Sequence, residues 1–243
     1  MAVEIRVLAS SSAGNAYVVS DGRTPLLIEC GLPFRQLRER LGYSVTSLAG
    51  CLLSHEHADH ARAARDILRA GVDLYATQGT IDALELTGHR LRPIRAHQQV
   101  RIGTWTVLPF DTVHDAAEPV GFLLASRAGG KLLYFTDSAY CRYRFQGLTH
   151  LMVEANWSEA LLGRNVQAGV TNEALAARIR RNHMSLERLL DMLRANDLTR
   201  VEAIWLLHLS DANSDEQMFA AAVRRATGKP VYLAAREVRG CAG

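Results

Sequence analysis

The stretch Leu52-Leu53-Ser54-His55-Glu56-His57-Ala58-Asp59-His60 places three imidazoles and two carboxylates within six positions, directly after an apolar segment. Imidazole and carboxylate are ligands that suit divalent ions such as zinc and manganese. His55 and His57 lie two residues apart, so their side chains point the same way if this segment is extended. We expect the chain to turn at Asp59 and His60, where these two side chains can face a second ion. The stretch therefore predicts a metal site.

Three more residues of metal-ligand type follow apolar, strand-like runs elsewhere in the chain: His114, Asp137 and His208. Loops that leave one edge of a sheet commonly carry functional residues to a shared site. We therefore expect these three side chains to meet the histidine-rich stretch in the folded protein.

The ordered set, H-x-H-x-D-H followed by a His, an Asp and a final His, resembles the ligand pattern of the metallo-β-lactamase superfamily over nearly the whole chain. The resemblance implies two divalent metal ions, Zn²⁺ or Mn²⁺, with Fe²⁺ also compatible. It implies these ligands: His55, His57 and His114 on one ion, Asp59, His60 and His208 on the other, and Asp137 bridging the two.

The pattern of elements indicates an α/β fold, because strand-like runs fall into two groups with helices between them. The resemblance adds a four-layer αββα sandwich, the metallo-β-lactamase fold, with the site at one sheet edge. No linker, charge block or fixed-period repeat divides the chain, so we expect a single domain over residues 1–243. A helix is expected over residues 60–70, and a turn over residues 10–15.

We expect no membrane span, because no run approaches ~18 consecutive apolar residues. We expect no signal peptide, because the N-terminus lacks a positive stretch followed by a long apolar run. The four cysteines form no C-x-x-C pair, which favours free thiols in the cytoplasm. The net charge is only +3, but Lys131 and Lys229 are the only lysines, so 26 of the 28 basic residues are arginine. Arginine binds phosphate through a planar fork.

Two divalent ions about 3.5–4 Å apart can share a hydroxide and clamp an anionic oxygen. Five histidines and two aspartates leave such a pocket positive, which suits a phosphodiester whose transition state gains negative charge. A lactam, lactone or thioester carbonyl would also be accepted. The metal motif therefore predicts a hydrolase and leaves the substrate class open.

Two motifs resemble those of ribonuclease Z and its relatives. Glu154 ends a strand-like run, and His183 stands just before a helix that Ser185 can cap. The resemblance implies that Glu154 orients His183 and that His183 is the general acid, a role that imidazole suits. The alternative is that Glu154 is a hydrogen-bonded strand-end carboxylate, Ser185 a simple N-cap and His183 a bystander.

Residues 10–15 and 207–213 resemble motifs of the YycJ/WalJ-type exonuclease branch of the superfamily. Ser12 and Asn15 could bind a phosphate, and Asn15 could instead hydrogen-bond a metal ligand. The alternative is a tight turn in which Gly14 supplies a positive φ and Asn15 caps it. Arg142 lies among aromatic residues that could stack a base, although a solvated loop is the commoner meaning of such a run.

The sequence thus predicts a metal-dependent phosphodiesterase that hydrolyses nucleic acid, DNA in preference to RNA, with 5′-to-3′ exonuclease action. A hydroxide shared between two ions would attack phosphorus while Asp59 orients it. The alternative is a hydrolase of the same fold that acts on a small ester, lactone, thioester or β-lactam. No inserted arm or additional nucleic-acid module is visible, which favours action at strand ends.

Overall fold

A computed structural model describes residues 3–234 of the chain. These residues form two compact units. The first unit comprises residues 3–111, 116–130 and 234, and the second comprises residues 112–115 and 131–233. The expectation of one domain over the whole chain stays a prediction. No helix among the described residues is long and apolar enough to cross a membrane.

The first unit contains a six-stranded sheet whose strands follow one another in chain order. They are β1 (Glu4–Ser11), β2 (Gly14–Ser20), β3 (Leu26–Ile28), β4 (Gly50–Leu52), β5 (Leu74–Thr77) and β6 (Leu91–Ile94). The first three strands are antiparallel, and the pairs from β3 to β6 are parallel. Four helices connect them: α1 (Phe34–Arg40), α2 (Ala58–Ala61), α3 (Ala64–Arg69) and α4 (Gln78–Ala83).

Three further strands of the first unit pair antiparallel in chain order: β7 (Val100–Ile102), β8 (Trp105–Asp111) and β9 (Val120–Ser126). The core of this unit packs helix side chains such as Leu37 and Ile67 against strand residues such as Leu27 and Leu74. All four are fully buried. Burying one such side chain stabilises the fold by roughly 1.5–3 kcal/mol.

The second unit has four strands that pair in parallel: β10 (Lys131–Phe135), β11 (His150–Glu154), β12 (Ala203–Leu207) and β13 (Val231–Leu233). Its helices are α5 (Glu159–Gln167), α6 (Glu173–Asn182), α7 (Leu186–Arg194) and α8 (Glu216–Thr227). A side chain caps the N-terminus of each helix: Ser158, Asn172, Ser185 and Asp215. Every residue of β11 is buried, as expected for an inner strand of a parallel sheet.

The α/β class is confirmed, because the strands of each unit form sheets and helices connect them. One helix prediction is wrong in detail. The expected helix over residues 60–70 is two helices, because the Ala63 N–H donates to the carbonyl of Cys30 instead of continuing the helical ladder. The carbonyl of Asp59 accepts a hydrogen bond from the Asn15 side chain instead.

The expected turn over residues 10–15 is shorter in the structure, because β1 and β2 pair as far as Ser11 and Gly14. The idea that Gly14 supplies a positive φ is wrong, since Gly14 is not among the residues in that conformation. A Cβ atom at Gly14 would lie 2.8 Å from the carbonyl oxygen of Gly31. The glycine is therefore needed for a close approach of two backbones.

Candidate active site

The histidine-rich stretch leaves the parallel strand β4 and enters helix α2. His55 follows the strand, His57 is the N-cap residue of α2, and Asp59 and His60 lie in its first turn. His55 and His60 are buried, and His57 and Asp59 are partly exposed. The turn from strand to helix is what brings four potential ligands together within a few residues.

The side chains of this first donor set converge. His55 Nε2 lies 3.1 Å from His57 Nδ1, and the ring centroids of His55 and His60 are 4.3 Å apart. His60 Nε2 lies 3.4 Å from Asp59 Oδ2. Nitrogen and carboxylate donors crowded in this way match the ligands of a divalent ion. The second carboxylate of the motif, Glu56, instead accepts the N–H of Ala117 at 2.7 Å.

Two buried side chains hold His60 from opposite sides of its ring. Asn15 Nδ2 lies 3.1 Å from His60 Nε2 and 3.3 Å from Asp59 Oδ2. Glu29 Oε2 lies 3.6 Å from His60 Nδ1 and accepts the Ser54 N–H at 3.3 Å. Contacts of this kind fix the ring orientation of a candidate metal ligand. Glu29 was not among the site residues expected from the sequence, although it is an acidic residue directly after a strand.

The second donor set lies at the carboxyl ends of parallel strands. Asp137 follows β10, Glu154 ends β11, and His208 follows β12. Asp137 and His208 both have positive φ, 46° and 52°. That conformation costs roughly 1–3 kcal/mol for a residue other than glycine and is typical of functional positions. The surrounding fold therefore holds both side chains in a set direction.

Four side chains of the second unit converge on one point: Asp137, Glu154, His183 and His208. Each offers a ligand atom, and these atoms lie within 4.8 Å of one another. The shortest contact is 2.7 Å, from His183 Nδ1 to Glu154 Oε1. His208 Nδ1 lies 3.2 Å from Asp137 Oδ1. A group of this composition could hold a metal ion.

His114 belongs to the same unit and lies beside this group. Its ring centroid is 5.8 Å from that of His183, and its Nδ1 lies 3.3 Å from the carbonyl oxygen of Asn182. Asn156 supports His208, because its side-chain amide donates to the His208 carbonyl at 2.8 Å and lies 3.3 Å from His208 Nδ1. The motif around Glu154 contained Asn156, but nothing in it singled out this residue.

Glu154 and His183 each stabilise the charged form of the other, against the effect of burial. Burial opposes the protonated form of His183, but the charge of Glu154 and hydrogen bonds to Asp137 and Glu154 outweigh it and raise the pKa of His183 to about 11. Burial likewise opposes the charged form of Glu154, yet the charge and hydrogen bonds of His183, with a hydrogen bond from His208, lower the pKa of Glu154. The two groups thus form an ion pair in which Glu154 is fully buried and His183 is partly exposed.

The remaining expected site residues differ in accessibility. Ser12 is exposed in the two-residue turn between β1 and β2. Asn15 is fully buried, so its amide contacts Asp59 and His60 and not the solvent. Arg142 is exposed in the loop after β10, with its guanidinium 5.7 Å from the centroid of the Tyr140 ring.

Comparison with protein families gives a match over most of the chain. The family model described as "Beta-lactamase superfamily domain" matches residues 24–209. That span includes all seven expected metal ligands and both residues of the Glu154–His183 pair.

Two curated relatives are exonucleases by name. The chain is 24% identical to exodeoxyribonuclease WalJ of Streptococcus pneumoniae serotype 2 over 227 residues, which covers 87% of this chain and 83% of that protein. It is 29% identical to exodeoxyribonuclease YycJ of Bacillus anthracis over 160 residues, which covers 61% of this chain and 59% of that protein.

A solved structure shares the fold. The metallo-β-lactamase fold protein YhfI from Bacillus subtilis superposes with a TM-score of 0.72 at 16% identity, covering 98% of this chain and 99% of the other. The four-layer class expected from the sequence is therefore confirmed at the level of the fold.

Proposed function

Because this chain belongs to the β-lactamase superfamily and is a hydrolase of the metallo-β-lactamase fold, we propose that it cleaves phosphodiester bonds in nucleic acid. We propose DNA as the preferred substrate, with 5′-to-3′ exonuclease action, in the cytoplasm. The names of the two curated relatives support this choice. The observation that carries it is the Glu154–His183 pair at 2.7 Å, in which Glu154 is buried and His183 is partly exposed, because a phosphodiesterase must protonate an alkoxide leaving group.

We propose that the two donor sets together hold two divalent ions, Zn²⁺ or Mn²⁺, with Fe²⁺ also compatible. The ligands are His55, His57 and His114 for one ion, Asp59, His60 and His208 for the other, and Asp137 for both. Two such ions supply a water of lowered pKa and a positive charge that neutralises phosphate oxygens. The donor chemistry fits, since both sets combine imidazole nitrogens with carboxylate oxygens.

The protein's own groups would then position the reaction. Asp59, whose Oδ2 is held by the Asn15 amide at 3.3 Å, orients the attacking water. Protonated His183 presents its Nε2–H to the leaving oxygen while its Nδ1–H donates to Glu154. That arrangement leaves one ring nitrogen to deliver a proton to the departing 3′ oxygen. Glu154 acts through His183 and is a positioning residue in this scheme.

Substrate contacts are proposed for the two exposed residues of the predicted set. The Ser12 hydroxyl, in the turn between β1 and β2, and the Arg142 guanidinium can each donate hydrogen bonds to a phosphate oxygen. Asn15 takes a different part, because its buried amide is committed to Asp59 and His60. We propose that it positions these two ligands.

The direct test uses oligonucleotides labelled at either end, single- and double-stranded, DNA and RNA, with Mn²⁺ or Zn²⁺ supplied and a chelator as control. The proposal expects mononucleotides released from the 5′ end of DNA, in a metal-dependent manner, with slower cleavage of RNA. Protein-bound metal is measured in parallel by elemental analysis, with His60→Ala as the variant expected to bind less.

A lactone, a thioester and a β-lactam are assayed beside the oligonucleotides. Hydrolysis of one of these by the metal-loaded protein, with every oligonucleotide left intact, would overturn the proposal in favour of a small-molecule hydrolase. Salt separates the two cases further, because binding to a polyanion weakens steeply with ionic strength and binding of a neutral lactone does not.

A further inference from the structure

Three exposed arginines follow the metal-ligand stretch on the first unit: Arg62, Arg65 and Arg69, named here the arginine row. Arg62 is the C-cap residue of α2, and the other two lie in α3. The helix residues between them, such as Ala64 and Ile67, are buried in the core. The core therefore anchors one side of this segment, and the arginine row is left on its solvent side.

The arginine row borders a surface pocket of about 240 Å³. Four basic or titratable side chains line it: Arg65, Arg69, His89 and Arg90. Leu68 and Leu86 contribute apolar surface to the same pocket. Its lining contains no carboxylate. We call this feature the basic pocket.

Neighbouring acidic groups neutralise this surface only in part. Asp66 pairs with Arg69 at 3.3 Å, but the arginine side chain is 76% exposed, so the pair is weak and can be exchanged for another anion. Asp73 pairs with Arg90 at 3.1 Å. The Arg65 guanidinium donates to a backbone carbonyl, that of Leu84, which leaves its charge uncompensated.

The chemistry of this surface matches a nucleic-acid backbone. Guanidinium groups bind phosphates through paired hydrogen bonds and keep their charge at any physiological pH. Proteins that bind single strands without sequence preference combine a positive groove with apolar contacts to bases. Here the arginines supply the positive charge, and Leu68 and Leu86 supply the apolar surface. Exposed side chains of this kind contribute little to folding, so stability alone does not account for the arrangement.

We propose that the arginine row and the basic pocket bind the phosphate backbone of the substrate strand, outside the active site. The inference rests on the proposed function and extends it. Arg62 stands two residues after the candidate ligand His60, so the row begins next to the candidate site. Helix α3 then carries it toward the start of β5, where the carbonyl of the pocket residue Arg90 accepts the Leu74 N–H, so a strand of several nucleotides is needed to follow the whole row. The surface gives the enzyme affinity for long strands without reading their sequence.

The test compares two triple variants with the same loss of charge. One neutralises the row: Arg62→Gln, Arg65→Gln and Arg69→Gln. The control neutralises exposed arginines on other elements: Arg35→Gln, Arg127→Gln and Arg194→Gln. Arg194 is a close match for Arg69, because it also pairs with a carboxylate three residues away, at 3.1 Å, and is 63% exposed. Thermal unfolding of both variants checks that they are folded.

Binding of a labelled single-stranded oligonucleotide is first measured by fluorescence anisotropy in the presence of a chelator. This step needs no catalysis, so it decides the inference even if the proposed function fails. Each phosphate contact contributes about 0.7 to the slope of log K against log salt on a single strand. The row variant is therefore expected to lose about 2 from that slope and to bind about tenfold or more weakly. The control variant should match the unmodified protein.

Catalysis is then measured on a long oligonucleotide and on thymidine 5′-(p-nitrophenyl phosphate), which is too short to follow the row along α3. The row variant should raise KM about tenfold for the long strand and leave the small ester unchanged. Equal effects of the two triple variants on strand binding would overturn the inference. If the unmodified protein cleaves neither substrate but the row variant still binds DNA more weakly, the proposed reaction fails and the binding surface stands.

Discussion

Replacing His183 with alanine separates a general acid from a residue that only supports the fold. In the structure, His183 Nδ1 donates to Glu154 Oε1 at 2.7 Å, and its ring stacks on that of His208 with centroids 5.5 Å apart. Its side chain is 21% exposed. Glu154 keeps other partners without it, because its Oε2 accepts the N–H of Met184 at 3.1 Å. The variant therefore loses one charged hydrogen bond from a site that stays otherwise connected.

The expected sizes of the two effects differ. A hydrogen bond to a charged group contributes about 1.5–3 kcal/mol to stability. Removal of a general acid lowers the rate by roughly 10²–10⁴, or about 3–5 kcal/mol in the barrier. The rate loss appears only where the leaving group needs a proton. A dinucleotide releases an alkoxide and needs one, whereas p-nitrophenolate departs without one.

The assay compares hydrolysis of a thymidine dinucleotide with that of thymidine 5′-(p-nitrophenyl phosphate) under saturating Mn²⁺. His183→Ala should lose roughly 10²–10⁴ in kcat on the dinucleotide and less than about tenfold on the ester. His150→Ala is the matched control, because His150 is a buried histidine at the opposite end of β11, 4.0 Å from Glu202. Equal losses on both substrates, or an unchanged rate on the dinucleotide, would refute the acid role.

Three further changes follow from the same structure. Glu154→Gln should slow hydrolysis of both substrates and weaken metal binding. The amide oxygen would accept the backbone N–H of Met184, so the NH₂ group would face His208 Nδ1 and disfavour the His208 tautomer that carries its proton there. Elemental analysis and both rate assays check this. Gly31→Ala should prevent folding or lower the midpoint of thermal unfolding sharply, since its Cβ would lie 1.7 Å from the carbonyl oxygen of Asp59. A soluble variant with an unchanged midpoint would contradict this close approach of Gly31 to Asp59. Burial raises the pKa of Asp21, but four hydrogen bonds outweigh that effect and lower it from 3.8 to about 2. The stability that Asp21 contributes is thus complete above about pH 4 and lost as the pH falls toward 2, so urea unfolding of Asp21→Asn should depend less on pH in that window than the unmodified protein.

The candidate ligands were readable from the sequence because the pattern that marks them is local. His55, His57 and His60 lie within one stretch, and the ligands that follow strands are marked by the apolar runs before them. Hydrophobic periodicity likewise predicted the α/β class, since it reports which residues face a core. The family match and the sheets confirm both the class and the superfamily.

The sequence did not predict the features that depend on tertiary contacts. Helices α2 and α3 are separate because the Ala63 N–H meets the carbonyl of Cys30, a residue distant in the chain. A hydrogen bond between distant residues likewise commits the Asn15 amide to Asp59. No local pattern specifies a hydrogen bond between residues thirty or more positions apart.

By itself, the sequence determined the kind of chemistry, because imidazole and carboxylate side chains suit a divalent ion whatever the fold around them. Only the tertiary structure decided how those side chains are held. It set Asp137 and His208 in a strained backbone conformation and paired His183 with Glu154 inside the protein. The physical reason is that ligand type is a property of single residues, whereas orientation depends on packing and hydrogen bonds that exist only once the chain has folded.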